Sequence, residues 1–139
     1  MSAATGTFRW TEAYRVNVAE FDRQHQDLFD AINELDQALR TGEGDAVLDP
    51  LLDKLMNYAL EHFAAEESLM TKHKFPGLQE HREQHELFRH KMAAFLASRK
   101  AHKAGVPVSL LFFLRDWLKN HLLKTDKQYS SFLNARGVF

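Results

Sequence analysis

Phe21, His25, Leu28, Ile32, Leu35 and Leu39 follow one another in steps of four, three, four, three and four residues, the spacing of one face of an α-helix. The same steps carry Leu48, Leu52, Leu55, Ala59, His62, Glu66 and Leu69, and again Leu78, His81, His85, Phe88, Met92 and Phe95. Helix breakers lie between these runs: Gly42, Gly44 and Pro50, then Pro76-Gly77, then Gly105 to Pro107, with Gly137 near the end. The intervening segments predict four helices, at about 21–41, 47–70, 77–103 and 108–135. Asp49-Pro50 suits an N-cap followed by a first helical position, and Arg99, Lys100, His102 and Lys103 ahead of Gly105 suit a basic last turn.

Short connections between helices of similar length favour an all-α, antiparallel up-down-up-down four-helix bundle. Residues 1–20 show no helical period yet include Phe8, Trp10, Tyr14, Val16 and Val18, so an extended N-terminal arm packed on the bundle is expected. The 139 residues, 45% of them hydrophobic and 27% charged, are read as one domain over 1–139 with a single core and no output domain.

Charge and cysteine content narrow the chemistry. Eighteen Lys and Arg against nineteen Asp and Glu provide no broad cationic field, so nucleic acid is not expected as a partner. The absence of cysteine removes disulfides, iron–sulfur clusters, thiolate zinc sites and cysteine nucleophiles. Met1 to Trp10 lacks the basic and apolar regions of a leader, and the longest apolar run, Leu110 to Leu114, is too short to span a bilayer; no membrane span and a cytoplasmic location are expected.

What changes the picture is the polar content of the apolar faces. His25, His62, Glu66, His81 and His85 occupy inward positions, and unpartnered burial costs on the order of several kcal/mol per group. A domain of this size cannot carry that sum, so these groups must share a centre. His62 with Glu66 and His81 with His85 are i, i+4 pairs, each on one helical face. The fourth segment adds His121 and Asp126, whose five-residue spacing an ideal helix rotates by about 140°. Either a local π-turn brings both inward, or the two approach from the flanks of the helix. His73, in a connection, His90, off the apolar stripe, and His102, in a basic turn, are left out of the centre.

With nitrogen and oxygen donors only, two metal classes fail. His81-Arg82-Glu83-Gln84-His85 resembles a zincin helix, but a zincin needs Glu directly after the first His and position 82 is Arg. Seven ligands also exceed a four-coordinate zinc. A ferritin-type di-iron site needs Glu-x-x-His pairs, and only Asp22 precedes a histidine, His25, at that distance. Five imidazoles and two bridging carboxylates, with one shared oxo or hydroxo bridge, instead fill all but one position of two six-coordinate irons. One place stays open for a small ligand.

These residues resemble the hemerythrin family in its bacterial single-domain form. The likeness runs through Trp10, Val16-Asn17-Val18, Phe21 to His25, His62 to Glu67, Phe75-Pro76, His81 to His85, Trp117-Leu118 and His121 to Asp126. Asn17 and the early Pro50 depart from the common pattern without touching the ligands. The resemblance implies two Fe ions that bind O2 reversibly, with His81, His85 and His121 on the coordinatively full iron, His25 and His62 on the iron with the open place, and Glu66 and Asp126 bridging. It further implies an apolar O2 pocket at Leu28, Phe63, Trp117 and Leu122. The expected function is O2 storage, transport or delivery, without turnover, with an O2-consuming enzyme as a partner for delivery. An O2 or redox sensor, and a weak di-iron peroxidase, oxidase or nitric oxide scavenger, remain alternatives. An enzyme would need a proton donor at the open iron, and the four pocket positions supply only apolar side chains.

Overall fold

A computed structural model describes residues 9–139; Phe8 lies outside them. The described residues are helical throughout their regular structure: α1 (Ala19–Arg40), α2 (Gly44–Lys72), α3 (Leu78–Lys100), α4 (Val106–Asn120), a π segment (His121–Asp126) and α5 (Lys127–Asn134). The last three run on from one another as the fourth arm of the bundle. α1 packs on α2 and α4, and α3 packs on the same two, which is the neighbour pattern of an antiparallel four-helix bundle. Among the described residues no helix is long and apolar enough to cross a membrane.

The helices stop by a common device. After each arm a residue in the left-handed region, Gly42, Lys74, His102 or Gly137, turns the chain back. The following amide then reaches an exposed carbonyl in the last turn: Glu43 to Ala38 at 2.7 Å, Phe75 to Met70 at 2.8 Å, Lys103 to Ser98 at 3.1 Å and Val138 to Leu133 at 3.0 Å. These six-residue closures satisfy carbonyls that the helix itself leaves open. The third helix therefore ends at Lys100, and His102 belongs to its terminating turn instead of to a last helical turn running to 103.

Two other boundaries depart from the sequence reading. α2 begins at Gly44, so Asp49 is no N-cap and Pro50 lies inside the helix. Pro50 forfeits the amide that would reach the Ala46 carbonyl. Arg99 braces this weakened turn from α3, bonding the Asp45 carboxylate at 2.9 Å, its carbonyl at 3.0 Å and Asp49 at 3.0 Å. Gly44 is buried where α1, α2 and α4 meet: a Cβ there would sit 2.9 Å from the tip of Leu39 and 3.3 Å from Pro107, so glycine lets the helices approach without displacing either side chain. The arm is not wholly extended either. Residues Glu12–Tyr14 make one 3₁₀ turn and α1 already starts at Ala19.

Asp22 fastens the arm. Its buried carboxylate accepts the amides of Val16 at 2.8 Å and Asn17 at 3.1 Å, while Ser130 donates to the Val16 carbonyl at 2.5 Å and Asn134 to that of Asn17 at 2.9 Å. Asn17 itself is left-handed, a conformation asparagine tolerates better than most residues. Val16, Val18 and Phe21 then pack with Met70, Phe75, Tyr129 and Leu133 as a small apolar cluster. A larger cluster, from Leu28 through Ile32, Leu52, Phe63, Phe88 and Leu110 to Leu122, fills the body of the bundle. The ionisable residues identified in the sequence sit on the same helices between the two, near the start of α1 and α3 and the end of α2 and α4.

Candidate metal centre

Each arm of the bundle delivers its polar residues to one point because antiparallel packing brings the start of α1, the last turns of α2, the start of α3 and the end of α4 to the same level. His25, His62, Glu66, His81, His85, His121 and Asp126 are all buried, at 3% exposure or less. The π segment covers His121–Asp126, and its wider turn sets residues five apart on one face. Of the two ways of turning both inward, this is the one the fold takes. His73, His90 and His102 take no part: His73 caps α2, His102 is exposed in its turn, and His90 is exposed beside Glu86.

The seven side chains fall into two sets. Donor atoms of Glu66, His81, His85 and His121 lie within 4.8 Å of one another, as do those of His25, His62 and Glu66. Glu66 Oε1 faces both, 3.1 Å from His62 Nε2 and 3.3 Å from His85 Nε2. Asp126 divides its oxygens, Oδ1 lying 2.8 Å from His121 and 3.1 Å from His81, and Oδ2 lying 3.3 Å from His25. His25 and His62 face each other through their Nε2 atoms at 2.9 Å.

These separations are short enough for hydrogen bonds, yet most of the atoms make none. Glu66 Oε1, both oxygens of Asp126, and the Nε2 atoms of His81, His85 and His121 are buried without a hydrogen-bond partner. So many orphaned acceptors and donors have a high cost unless their lone pairs aim at something between them. A first-row ion holding nitrogen at about 2.1 Å sets right-angle neighbours roughly 3 Å apart, close to the separations seen here. The donor set fits metal, and its oxygen and imidazole character fits iron.

Neighbouring side chains fix which nitrogen faces the centre. His85 Nδ1–H donates to Glu67 Oε2 at 2.7 Å, and Glu67 is itself approached by Arg82 at 3.3 Å and Arg89 at 3.7 Å. His62 Nδ1–H donates to the Gln24 side-chain oxygen. With Nδ1 so engaged, Nε2 presents its lone pair inward. Three imidazoles also lie flat against aromatic rings: His85 on Phe63 (3.7 Å between centroids), His121 on Trp117 (4.3 Å) and His62 on Tyr58 (5.1 Å).

The electrostatics of the bare cluster follow from its crowding. Burial raises the Glu66 and Asp126 pKa values, but the facing imidazoles, His62 foremost for Glu66 and His121 for Asp126, hold both carboxylates well below their usual range. Burial lowers that of His81, yet the facing carboxylates of Asp126 (3.1 Å) and Glu66 (3.8 Å) more than reverse this and push it up to about 10. The Tyr129 hydroxyl donates to Glu66 Oε2, and burial together with the nearby charges of Asp126 and Glu66 keeps the phenol protonated.

A cavity of about 10 Å³ adjoins the cluster, lined by His25, Leu28, Tyr58, His62, Phe63, Trp117, Leu118, His121 and Leu122. That is space for about one molecule of water's size. All four sequence-derived pocket residues border it, with His25 and His62 but neither His81 nor His85. Beside the four expected positions the wall also carries Tyr58, whose hydroxyl is buried there without a partner. Tyr58 precedes His62 by four residues and so shares its face, a spacing that was available in the sequence. Gln24, Glu67 and Tyr129 were likewise passed over; each directly adjoins a ligand or follows the stripe by one turn, but reads as an ordinary surface or core residue until the ring it touches is placed.

Comparison with known proteins agrees with this construction. The hemerythrin HHE cation binding domain family matches residues 16–133. A bacteriohemerythrin from Methylococcus capsulatus is 34% identical over 127 residues, covering 91% of this chain and 96% of that protein. A myohemerythrin from Riftia pachyptila is 32% identical, covering 86% of this chain and 88% of its own. The crystal structure of a wild-type hemerythrin superposes with a TM-score of 0.81 at 33% identity, covering 89% of this chain and 95% of that one. From the arm's anchor at Val16 to the end of α5, the chain belongs to the hemerythrin family.

Proposed function

We propose that this protein binds O2 reversibly at a bridged di-iron centre, with His81, His85 and His121 on one iron, His25 and His62 on the other, and Glu66 and Asp126 between them. The observation that carries this reading is the position of the cavity: it borders both members of the two-histidine set, and only one of the three-histidine set. The site short of one ligand is the site with space beside it. When bound, the two irons supply the electrons that hold O2 without breaking it.

The protein's part is to hold, orient and exclude. Glu66 and Asp126, lying between the two histidine sets, would hold the pair together, and Tyr129 donates to Glu66 Oε2, keeping that carboxylate in place. Gln24 and Glu67 set the tautomers of His62 and His85. Leu28, Phe63, Leu118 and Leu122 keep water from the cavity, which limits the protonation that would let reduced oxygen escape. Storage and delivery need this dryness.

The test is metal content followed by gas cycling. Reconstitution with ferrous iron is expected to load two irons per chain, and His121→Ala to load fewer, because its partners are then left uncompensated. Repeated admission and removal of O2 should make a visible absorption band appear and vanish. One zinc per chain overturns the di-iron reading, and irreversible bleaching with product formation favours the peroxidase or oxidase alternative.

A further inference from the structure

The Tyr58 hydroxyl is a polar part of the cavity wall that the O2-binding reading does not use. Tyr58 borders the cavity and lies flat on His62, 5.1 Å between centroids and 19° between planes. Its oxygen is buried with no hydrogen-bond partner, although the residue as a whole is only half-buried. An unsatisfied buried hydroxyl is destabilising, and phenylalanine would fill the same space without that penalty. The penalty points to a partner that is present only when the site is in use.

Trp117 offers a second unpartnered donor, its indole N–H, on the same cavity. Trp117, however, stacks on His121, which belongs to the three-histidine set, whereas Tyr58 stacks on His62, in the set beside the space. A hydroxyl is also donor and acceptor in one, able to rotate toward a ligand of either kind.

We infer that Tyr58 is a ligand-binding residue, whose hydroxyl donates a hydrogen bond to the small molecule held in the cavity beside His25 and His62 and so sets how long that molecule stays. The inference rests on the proposed O2 site and deepens it. Such a contact strengthens retention of a ligand that gains negative charge on binding, since hydrogen bonds to charged acceptors are the stronger ones. It selects for O2 and small anions such as azide over carbon monoxide, which accumulates little charge.

The experiment compares wild type with Tyr58→Phe in three measurements. The metal-free variant is expected to melt at the same temperature as wild type or higher, because it has lost an unsatisfied group. Loaded with iron, it should still hold two irons per chain but bind azide about five- to tenfold more weakly, the loss typical of one hydrogen bond. Its O2 dissociation should be faster by a similar factor, and a solvent deuterium effect on dissociation, expected in wild type, should be absent. Azide affinity and O2 dissociation equal to wild type overturn the inference and leave the di-iron reading standing. Loss of iron in the variant also overturns it, since Tyr58 then serves to support His62. Failure of wild type itself to bind iron and azide overturns both readings together.

Discussion

A histidine becomes a metal ligand only when its ring is fixed, and here the fixing is done by residues that look unremarkable in the sequence. Glu67 follows Glu66 and reads as a solvent-side acid, yet its 2.7 Å bond with His85 Nδ1 determines which nitrogen faces inward. Glu67→Ala is expected to weaken iron binding by about 10- to 100-fold while leaving the fold intact, measured by competition with a chelator. Unchanged affinity would mean that packing on Phe63 alone orients His85. Leu122, fully buried on the cavity, has the complementary role of exclusion in the proposed function. Leu122→Ala should admit water and speed the oxidation of the oxygenated protein, read as faster decay of the visible band. A decay rate equal to wild type would show that position 122 does not guard the site. Five of the clustered residues were legible as polar interruptions of an apolar stripe, whereas His121 and Asp126 were found only as a pair whose spacing no ideal helix puts on one face. Tyr58 and Tyr129 were not legible, since an aromatic residue on an inward face looks like core.

At the scale of the element, the π segment is where sequence spacing and structure had to be reconciled. His62–Glu66 and His81–His85 use the four-residue step of an α-helix, whereas His121–Asp126 uses five and needs the wider turn. The spacing alone showed that something had to give, but left open whether the helix or the approach of the side chains would do so. The segment therefore behaves as an α-helix with one residue inserted. Deleting the exposed Lys124 should restore the four-residue step, keep both side chains inward and retain two irons per chain. Inserting one alanine after Lys124 makes a six-residue step that neither register brings to one face, and iron should be lost with the helix content unchanged by circular dichroism. Iron lost on the deletion, or kept on the insertion, would show that register is not what places Asp126. The other boundaries were obscured for a different reason: Pro50 reads as a helix start, and only the distant Arg99, reaching Asp45 and Asp49, makes an earlier start tolerable.

For the whole molecule, a cluster built for metal must also be survived without it, and the two states respond to pH in opposite senses. The bundle was legible because periodic stripes and breakers are local signals; the balance of charge at its centre is a sum over four helices that no local pattern carries. In the metal-free chain the His81 pKa rises from 6.5 to about 10 on folding, as the facing carboxylates of Asp126 and Glu66 outweigh the downward effect of burial. Its contribution to stability is complete below pH 6.5 and is lost as pH climbs through 10. Glu66 and Asp126 are held low, so their contribution is present above the ordinary carboxylate range of about 4 and is lost only in stronger acid. The metal-free protein is thus expected to be most stable between about pH 4.5 and 6.5 and to lose up to several kcal/mol toward pH 10. Iron reverses the slope on the acid side, because imidazole must shed its proton to bind: loading should stabilise little at pH 5 and strongly at pH 8. Melting temperatures of the two forms at pH 5, 6.5, 8 and 9.5 test this. The gap between them should widen steadily as pH rises, through a falling metal-free midpoint as well as a rising loaded one. A metal-free midpoint that stays level or climbs from pH 6.5 to 9.5 would mean that the empty cluster takes in water and relaxes, so that His81 no longer depends on its two carboxylates.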